Sequence, residues 1–192
     1  MNFVQPIRDT KKIEAMRKIL QAGNFGARND LFFVLGINTG LRISDILDLR
    51  VGELVDTKRR VRDFVVLQEK KTGKTRRFPV PPVIVKTVKT YLDTGEYPSN
   101  EFLFKSRKGD KAITRNQAWA ILNEAAESVG IRDNIGTHTL RKTFGYHAYK
   151  RGVSLELIMD LLNHSSQKDT LGYIGITQDD KDEVIMSLNL GG

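Results

Sequence analysis

The chain has 192 residues, 40% of them hydrophobic and 28% charged. These are globular values at a length that can bury a sizeable core, and they exclude wholesale disorder. The formal net charge is +8 and there is no cysteine, so disulfides, thiolate metal sites and cysteine nucleophiles are excluded together.

The longest apolar run, Leu31 to Ile37, is far shorter than the roughly 20 residues of a membrane span. The start of the chain, Met1-Asn2-Phe3-Val4-Gln5-Pro6, lacks the apolar stretch of a signal peptide. The expectation is a soluble cytoplasmic protein with no membrane partner. Residues 177–192 hold one Lys against Asp179, Asp180, Asp182 and Glu183, which leaves 30 basic against 19 acidic residues, a surplus of 11, in the first 176. A surplus of that size suits a polyanionic partner, because Lys and Arg gain affinity by displacing counterions from phosphates.

In chain order, Asp9 can cap a helix that lines up Ile13, Met16 and Leu20 and stops at Gly23. Leu31 to Ile37 reads as a buried helix broken by Gly40, followed by a short helix through Ile43, Ile46, Leu47 and Leu49. The period then changes: Phe64 to Leu67 and Arg76 to Val80 are strand-like, joined across Lys71-Thr72-Gly73-Lys74 as a hairpin. Val83 to Leu92 is helical after Pro81-Pro82. Thr114 to Gln117 has capping-box form, ahead of a face made by Ala118, Ile121, Leu122, Ala125, Ala126 and Val129. Thr137 can cap a helix to Arg151, closed by Gly152, and Ser154 opens an apolar helix ending near Asn163. Thr177, with Asp180 three residues on, is a further helix start, with Val184, Ile185 and Leu188 as its apolar stripe. The outline is mostly α with a small antiparallel β-sheet, an α+β class, in one domain over residues 1–192.

Four segments carry residue types suited to chemistry: Thr39-Gly40-Leu41-Arg42-Ile43-Ser44-Asp45, Thr137-His138-Thr139-Leu140-Arg141, Leu162-Asn163-His164, and Thr170-Leu171-Gly172-Tyr173-Ile174. At roughly 100° per residue, Arg141 lies about 60° from His138 on one helix face. The third histidine, His147, lies about 180° from His138, beside Leu140 and Phe144, and is expected to pack at the core edge. The segments H-E-x-x-H and G-x-x-x-x-G-K-[ST] are absent, so zinc hydrolysis and P-loop chemistry have no support.

In this order and at these spacings, the four segments resemble the active-site signature of tyrosine recombinases, the phage-integrase family. That signature is an arginine in T-G-L-R-[IV]-S-[DE], then H-x-x-R, a second histidine, and a nucleophilic tyrosine. The resemblance implies a largely α catalytic domain with a small antiparallel sheet, whose catalytic residues would be Arg42, Lys71, His138, Arg141, His164 and Tyr173. Among the hairpin lysines, the K-T-G step favours Lys71, while Lys70 and Lys74 stand close enough to remain open. No metal and no cofactor is expected.

The implied reaction cleaves double-stranded DNA through a 3′-phosphotyrosine and rejoins it, in integration, excision or inversion. Arginine suits the phosphate because its planar, permanently charged fork can donate to two oxygens. Tyrosine suits the nucleophile because it forms an ester that a DNA hydroxyl can later displace, and neighbouring cations are expected to favour its phenolate. The family also implies a homotetramer on DNA, accessory DNA-bending proteins, and docking of the segment 177–192 on a neighbouring protomer. Its usual N-terminal DNA-clamping domain has no counterpart in the sequence. A type IB topoisomerase-like nicking-closing enzyme and a silent DNA-binding regulator on the same fold are the competing readings, and a pure binder has no use for Tyr173.

Overall fold

The computed structural model describes residues 4–188, with the backbone alone for Asp179. Asp9 caps α1 (Thr10–Ala22), its carboxylate accepting from the Lys11 N–H at 2.7 Å, and Met16 and Leu20 are buried. Gly23 ends that helix in an extended conformation (φ −80°) rather than a left-handed cap. The centre of the molecule is α2 (Gly26–Thr39), in which Leu31 through Leu35 are all fully buried. This stretch is apolar all round because α1, α5 (Pro82–Leu92) and α7 (Thr139–Lys150) pack against the helix. Gly40 closes α2 with φ 61°, and a side chain there would meet the Phe144 ring at 2.5 Å. Glycine is therefore required both by the left-handed turn and by the approach of α7.

Two short helices, α3 (Ile43–Asp48) and α4 (Val51–Leu54), lead to the hairpin of β1 (Phe64–Gln68) and β2 (Thr75–Pro79). These strands are antiparallel, in register from Phe64 opposite Pro79 to Gln68 opposite Thr75. Val65 and Leu67 face inward from β1, and the same alternation carries Glu69, just past the strand, to the buried side. On β2 the inward positions are Arg76 and Phe78, with Val80 next on that side just past the strand. Thr114 and Gln117 form the expected reciprocal cap of α6 (Arg115–Ser128).

The second half differs from the sequence reading in two places. Thr137 does not cap α7: His138 occupies that position, and Thr137 instead accepts from Arg115 Nε at 3.2 Å. Beyond α8 (Leu155–Leu161), capped by Ser154, an unanticipated helix α9 (Gln167–Ile174) begins at Ser166, whose hydroxyl accepts from the Asp169 N–H at 3.2 Å. This helix carries Tyr173 and includes Gly172.

Ile158, Leu162 and Ile174 form a small apolar cluster separate from the main core. Gly145 of α7 lets α9 approach it, since a Cβ there would meet Ile174 Cγ2 at 2.5 Å. Finally α10 (Gln178–Ser187) starts with the expected Thr177–Asp180 cap. The last four residues of the 177–192 segment lie outside the described residues. The mostly α architecture with a small antiparallel sheet is the one expected.

Candidate active site

Two guanidinium groups tie together the ends of α2 and α8. Arg141, only 3% exposed, donates through one terminal nitrogen to the Gly40 carbonyl and through the other to that of Leu162. Arg76 makes the parallel link, to the carbonyls of Thr39 at 2.7 Å and Leu161 at 3.0 Å. The C-terminal ends of helices expose unpaired carbonyls and carry the negative end of the dipole. The Arg141 guanidinium is therefore satisfied there without a carboxylate of its own, whereas Arg76 also faces Glu69. Burial pushes the Arg141 guanidinium down to about 10, and Tyr173 opposes that shift; Arg141 is protonated at neutral pH.

Arg42 stands at the start of α3, directly after the Gly40 turn. It does not form the local pair with Asp45 that its helix spacing allows. Arg42 Nη1 instead donates to Glu69 Oε2 at 2.8 Å, with Arg42 16% and Glu69 1% exposed. Asp45 accepts from the Lys70 N–H at 3.0 Å and so anchors the start of the hairpin loop.

Glu69 was not singled out from the sequence, yet it is the hub of this region. It accepts from Thr72 Oγ1 at 2.8 Å and from Asn163 Nδ2 at 3.1 Å to each oxygen, and Arg76 Nη1 lies 3.5 Å away. Burial pushes the Glu69 carboxyl up, but the hydrogen bonds of Thr72 and Arg42 and the charges of Arg42 and Arg76 outweigh it and hold the group below the usual carboxylate range. The signal that could have found it is the alternation Val65, Leu67, Glu69, which puts a carboxylate on the apolar face of a strand.

Tyr173 projects from α9 into this region. Its ring meets His164 edge-on at 4.8 Å between centroids, and Lys142 Nζ lies 5.0 Å from its centroid. The phenolic oxygen is 3.5 Å from His138 Nδ1. Burial raises the Tyr173 phenol above its ordinary value, against the charge and hydrogen bond of Arg141 and the charge of Arg42. The expectation that neighbouring cations favour the phenolate is therefore not met in the DNA-free protein, where the phenol keeps its proton.

Burial lowers both histidines below the ordinary 6.5, so they are neutral at pH 7. For His138 the positive charges of Arg115, Arg141, Lys142 and Lys71 add to burial; for His164 those of Arg141 and Arg42 do so, with Asp169 opposing. Asn163 takes φ 47° just before His164, a conformation that asparagine tolerates. Thr170 Oγ1 already donates to the Ser166 carbonyl at 2.7 Å, so His164 Nδ1, 3.2 Å away, donates to Thr170. This leaves Nε2 of His164 as its outward nitrogen.

The hairpin lysines separate. Lys70 pairs with Asp48 at 2.7 Å, whereas the charge of Lys71 bears on His138. His147 lies outside the cluster: its Nε2 sits 2.9 Å from the Ile7 carbonyl, and its ring is edge-on to Tyr146. Among the described residues, no group of three or more His, Cys, Asp or Glu side chains converges as a metal site, and no helix is long and apolar enough to cross a membrane.

The chain matches the model of the phage integrase family over residues 8–179. It is 42% identical over 179 residues to "Probable integrase/recombinase YoeC" of Bacillus subtilis (strain 168), covering 93% of both chains. Against "Tyrosine recombinase XerA" of Pyrococcus furiosus it is 29% identical over 164 residues, which is 85% of this chain and 55% of that protein. The chain thus spans about half the length of that relative. Among solved structures it resembles the XerH site-specific recombinase bound to its palindromic difH substrate in a post-cleavage complex. The TM-score is 0.73 at 18% identity, over 95% of this chain and 52% of that one.

Since both histidine shifts are downward, the folded protein binds fewer protons than the unfolded chain between the folded pKa values and 6.5. Stability then falls as the pH drops through that window. In an NMR titration of the free protein, the His138 and His164 ring signals are expected to titrate below 6.5. Arg115→Gln should raise the His138 midpoint toward 6.5 and leave His164 nearly unmoved, because Arg115 contributes only to His138. A His138 midpoint at or above 6.5 in the unsubstituted protein would refute the charge arrangement described.

Proposed function

The chain belongs to the phage integrase family, and we propose that it is a site-specific DNA recombinase that cleaves and rejoins DNA strands through a 3′-phosphotyrosine at Tyr173. One observation carries the reading: Tyr173 meets His138, His164 and Arg141 at a point where Arg42 and Lys71 also bear. Groups from five separate stretches of chain meet or bear on one another there, a set whose charges and proton carriers suit one phosphate.

In the forward step the Tyr173 oxygen bonds to phosphorus and the P–O5′ bond breaks. His138, neutral and beside the phenol, takes the Tyr173 proton, so the burial that keeps the phenol protonated is overcome by a base rather than by cations. Arg42 and Arg141 donate to the non-bridging oxygens as charge gathers on the pentavalent transition state, and His164 joins them by taking up a proton on Nε2 as the phosphate's negative charge raises its basicity. Lys71 protonates the departing 5′-oxygen. The products are a 3′-phosphotyrosyl strand and a 5′-hydroxyl, and attack by a partner strand's 5′-hydroxyl reverses each transfer. The acid and base are both side chains, so the step needs no metal or cofactor.

Strand exchange requires several protomers, so the reading includes a homotetramer on double-stranded DNA in the cytoplasm; two features support self-assembly. On α10, Val184, Ile185, Met186 and Leu188 are 57%, 69%, 82% and 55% exposed. A groove of about 530 Å³, lined by Ile13, Ile37, Phe144, Ala148 and Leu157 with the basic Arg151 at its side, is of a kind to receive such a stripe from a neighbouring copy. Asp180 and Glu183 instead pair with Lys150 of their own α7, at 3.1 and 3.3 Å. Head-to-tail contacts join four copies into a ring when successive copies are related by a quarter turn. Accessory DNA-bending proteins would serve to bring the paired sites together.

The direct test uses duplexes selected by binding from a random-sequence pool and nicked so that the short released strand diffuses away. Incubated in EDTA and run on a denaturing gel, the protein should form a covalent adduct that maps to Tyr173. Tyr173→Phe should bind the duplex equally and form none; an adduct that persists in that variant would assign the nucleophile elsewhere. For assembly, a protein lacking residues 178–192 is expected to bind a single site with unchanged affinity and to lose complexes that join two sites. Two-site complexes that survive the deletion would remove α10 from the interface.

A further inference from the structure

Cleavage of a phosphodiester requires the arginine fork to meet two oxygens at the correct angle, and a misplacement of about an ångström costs on the order of 10²-fold in rate. Arg42 is exposed on one side and follows a glycine turn, so its own stretch of chain does little to fix its side chain. What holds it is Glu69, at 2.8 Å through Nη1. The same carboxylate accepts from Thr72, the residue after Lys71, and from Asn163, the residue before His164. A buried anion with four donors around it is a rigid node, because moving any one donor leaves charge unpaired in a poorly solvated place. Glu69 lies behind Arg42 and is only 1% exposed, so it does not itself reach a bound phosphate.

We propose that Glu69 is a positioning residue for cleavage: it fixes the guanidinium of Arg42 toward the scissile phosphate and keeps the Lys71 loop and the His164 turn in register with it. This rests on the recombinase reading above. Two consequences separate it from a merely structural role. Taking away the buried negative charge makes the site more positive, so DNA binding should stay the same or tighten. The rate should nevertheless fall, because Arg42 is no longer aimed. A residue that only supports the fold would weaken both together.

The experiment measures single-turnover formation of the covalent adduct and, separately, the dissociation constant of the same duplex. It compares the unsubstituted protein, Glu69→Gln, Glu69→Asp, Arg42→Lys, and the double variant Glu69→Gln/Arg42→Lys. Circular dichroism confirms folding at the assay temperature. An unsubstituted protein that forms no adduct contradicts the recombinase reading itself; the remaining comparisons assume that it does.

Glu69→Gln is expected to lose about tenfold or more in rate, with a dissociation constant unchanged or lower. In the double variant the two losses should be less than additive, since Glu69 acts in part through Arg42. Should Glu69→Gln fail to fold, Glu69→Asp keeps the charge but is too short to reach all its donors, and the same slow rate at unchanged affinity is expected. Rates within about twofold of the unsubstituted protein, parallel losses of rate and affinity, or fully additive losses in the double variant would each overturn the proposal.

Discussion

Two guanidinium groups laid across the carbonyl ends of α2 and α8, Arg141 buried and Arg76 half-buried, set the geometry of everything around them. Helix ends leave carbonyls without partners, and a packed interior penalises a charge that lacks hydrogen bonds. Placing Arg141 between Gly40 and Leu162, and Arg76 between Thr39 and Leu161, meets both demands at once. The link also brings the Gly40-Leu41-Arg42 turn and the Asn163-His164 turn to the same place, although they lie more than a hundred residues apart in sequence. Because helix carbonyls supply part of the compensation, the cationic groups are not fully neutralised by carboxylates. The charge that remains is what an incoming phosphate would meet.

That surplus explains the protonation states of the site. Neighbouring positive charge and burial act in the same direction on His138 and His164 and keep both neutral. On Tyr173 the two effects oppose, and burial prevails. The phenol is therefore dormant in the free protein. On the recombinase reading proposed above, the neutral imidazole beside it would take that proton when a phosphate is attacked. Glu69 is the counterweight in this arrangement. Its carboxylate lies under the cations, paired to Arg42, and the protein retains one well-satisfied buried anion where several positive groups would otherwise repel each other.

How much of this was legible in the sequence follows from whether each feature is local. The caps at Asp9, Thr114, Ser154 and Thr177 are local hydrogen-bond patterns and stand where the sequence places them. The hairpin was legible from its change of period. The helix-face argument for His138, Arg141 and His147 also agrees with the structure, since it needs only the angle between neighbours on one helix. Helix α9 was not legible because its eight residues are short and weakly amphipathic, and its packing on Gly145 is a contact between distant parts of the chain. Thr137 as a cap failed for a related reason: Arg115, from another helix, holds its hydroxyl. Glu69 shows locally only as an acid on the apolar face of a strand. Its importance lies in partners from three separate segments.

The central claim is that Arg42, Arg141, His138 and His164 surround one phosphate while Arg141 keeps its ties to the two helix ends. The most direct measurement is a crystal structure of the Tyr173→Phe protein on a duplex selected by binding. The account predicts non-bridging oxygens of one phosphate within about 3 Å of donors from both arginines and of Nε2 of His164, with Nδ1 of His138 facing the ring of residue 173. In the same structure Arg141 should remain bonded to the Gly40 and Leu162 carbonyls, and the ring of residue 173 should point at phosphorus. A duplex whose nearest phosphate lies away from this cluster, or an Arg141 that has left both carbonyls to reach DNA, would contradict it.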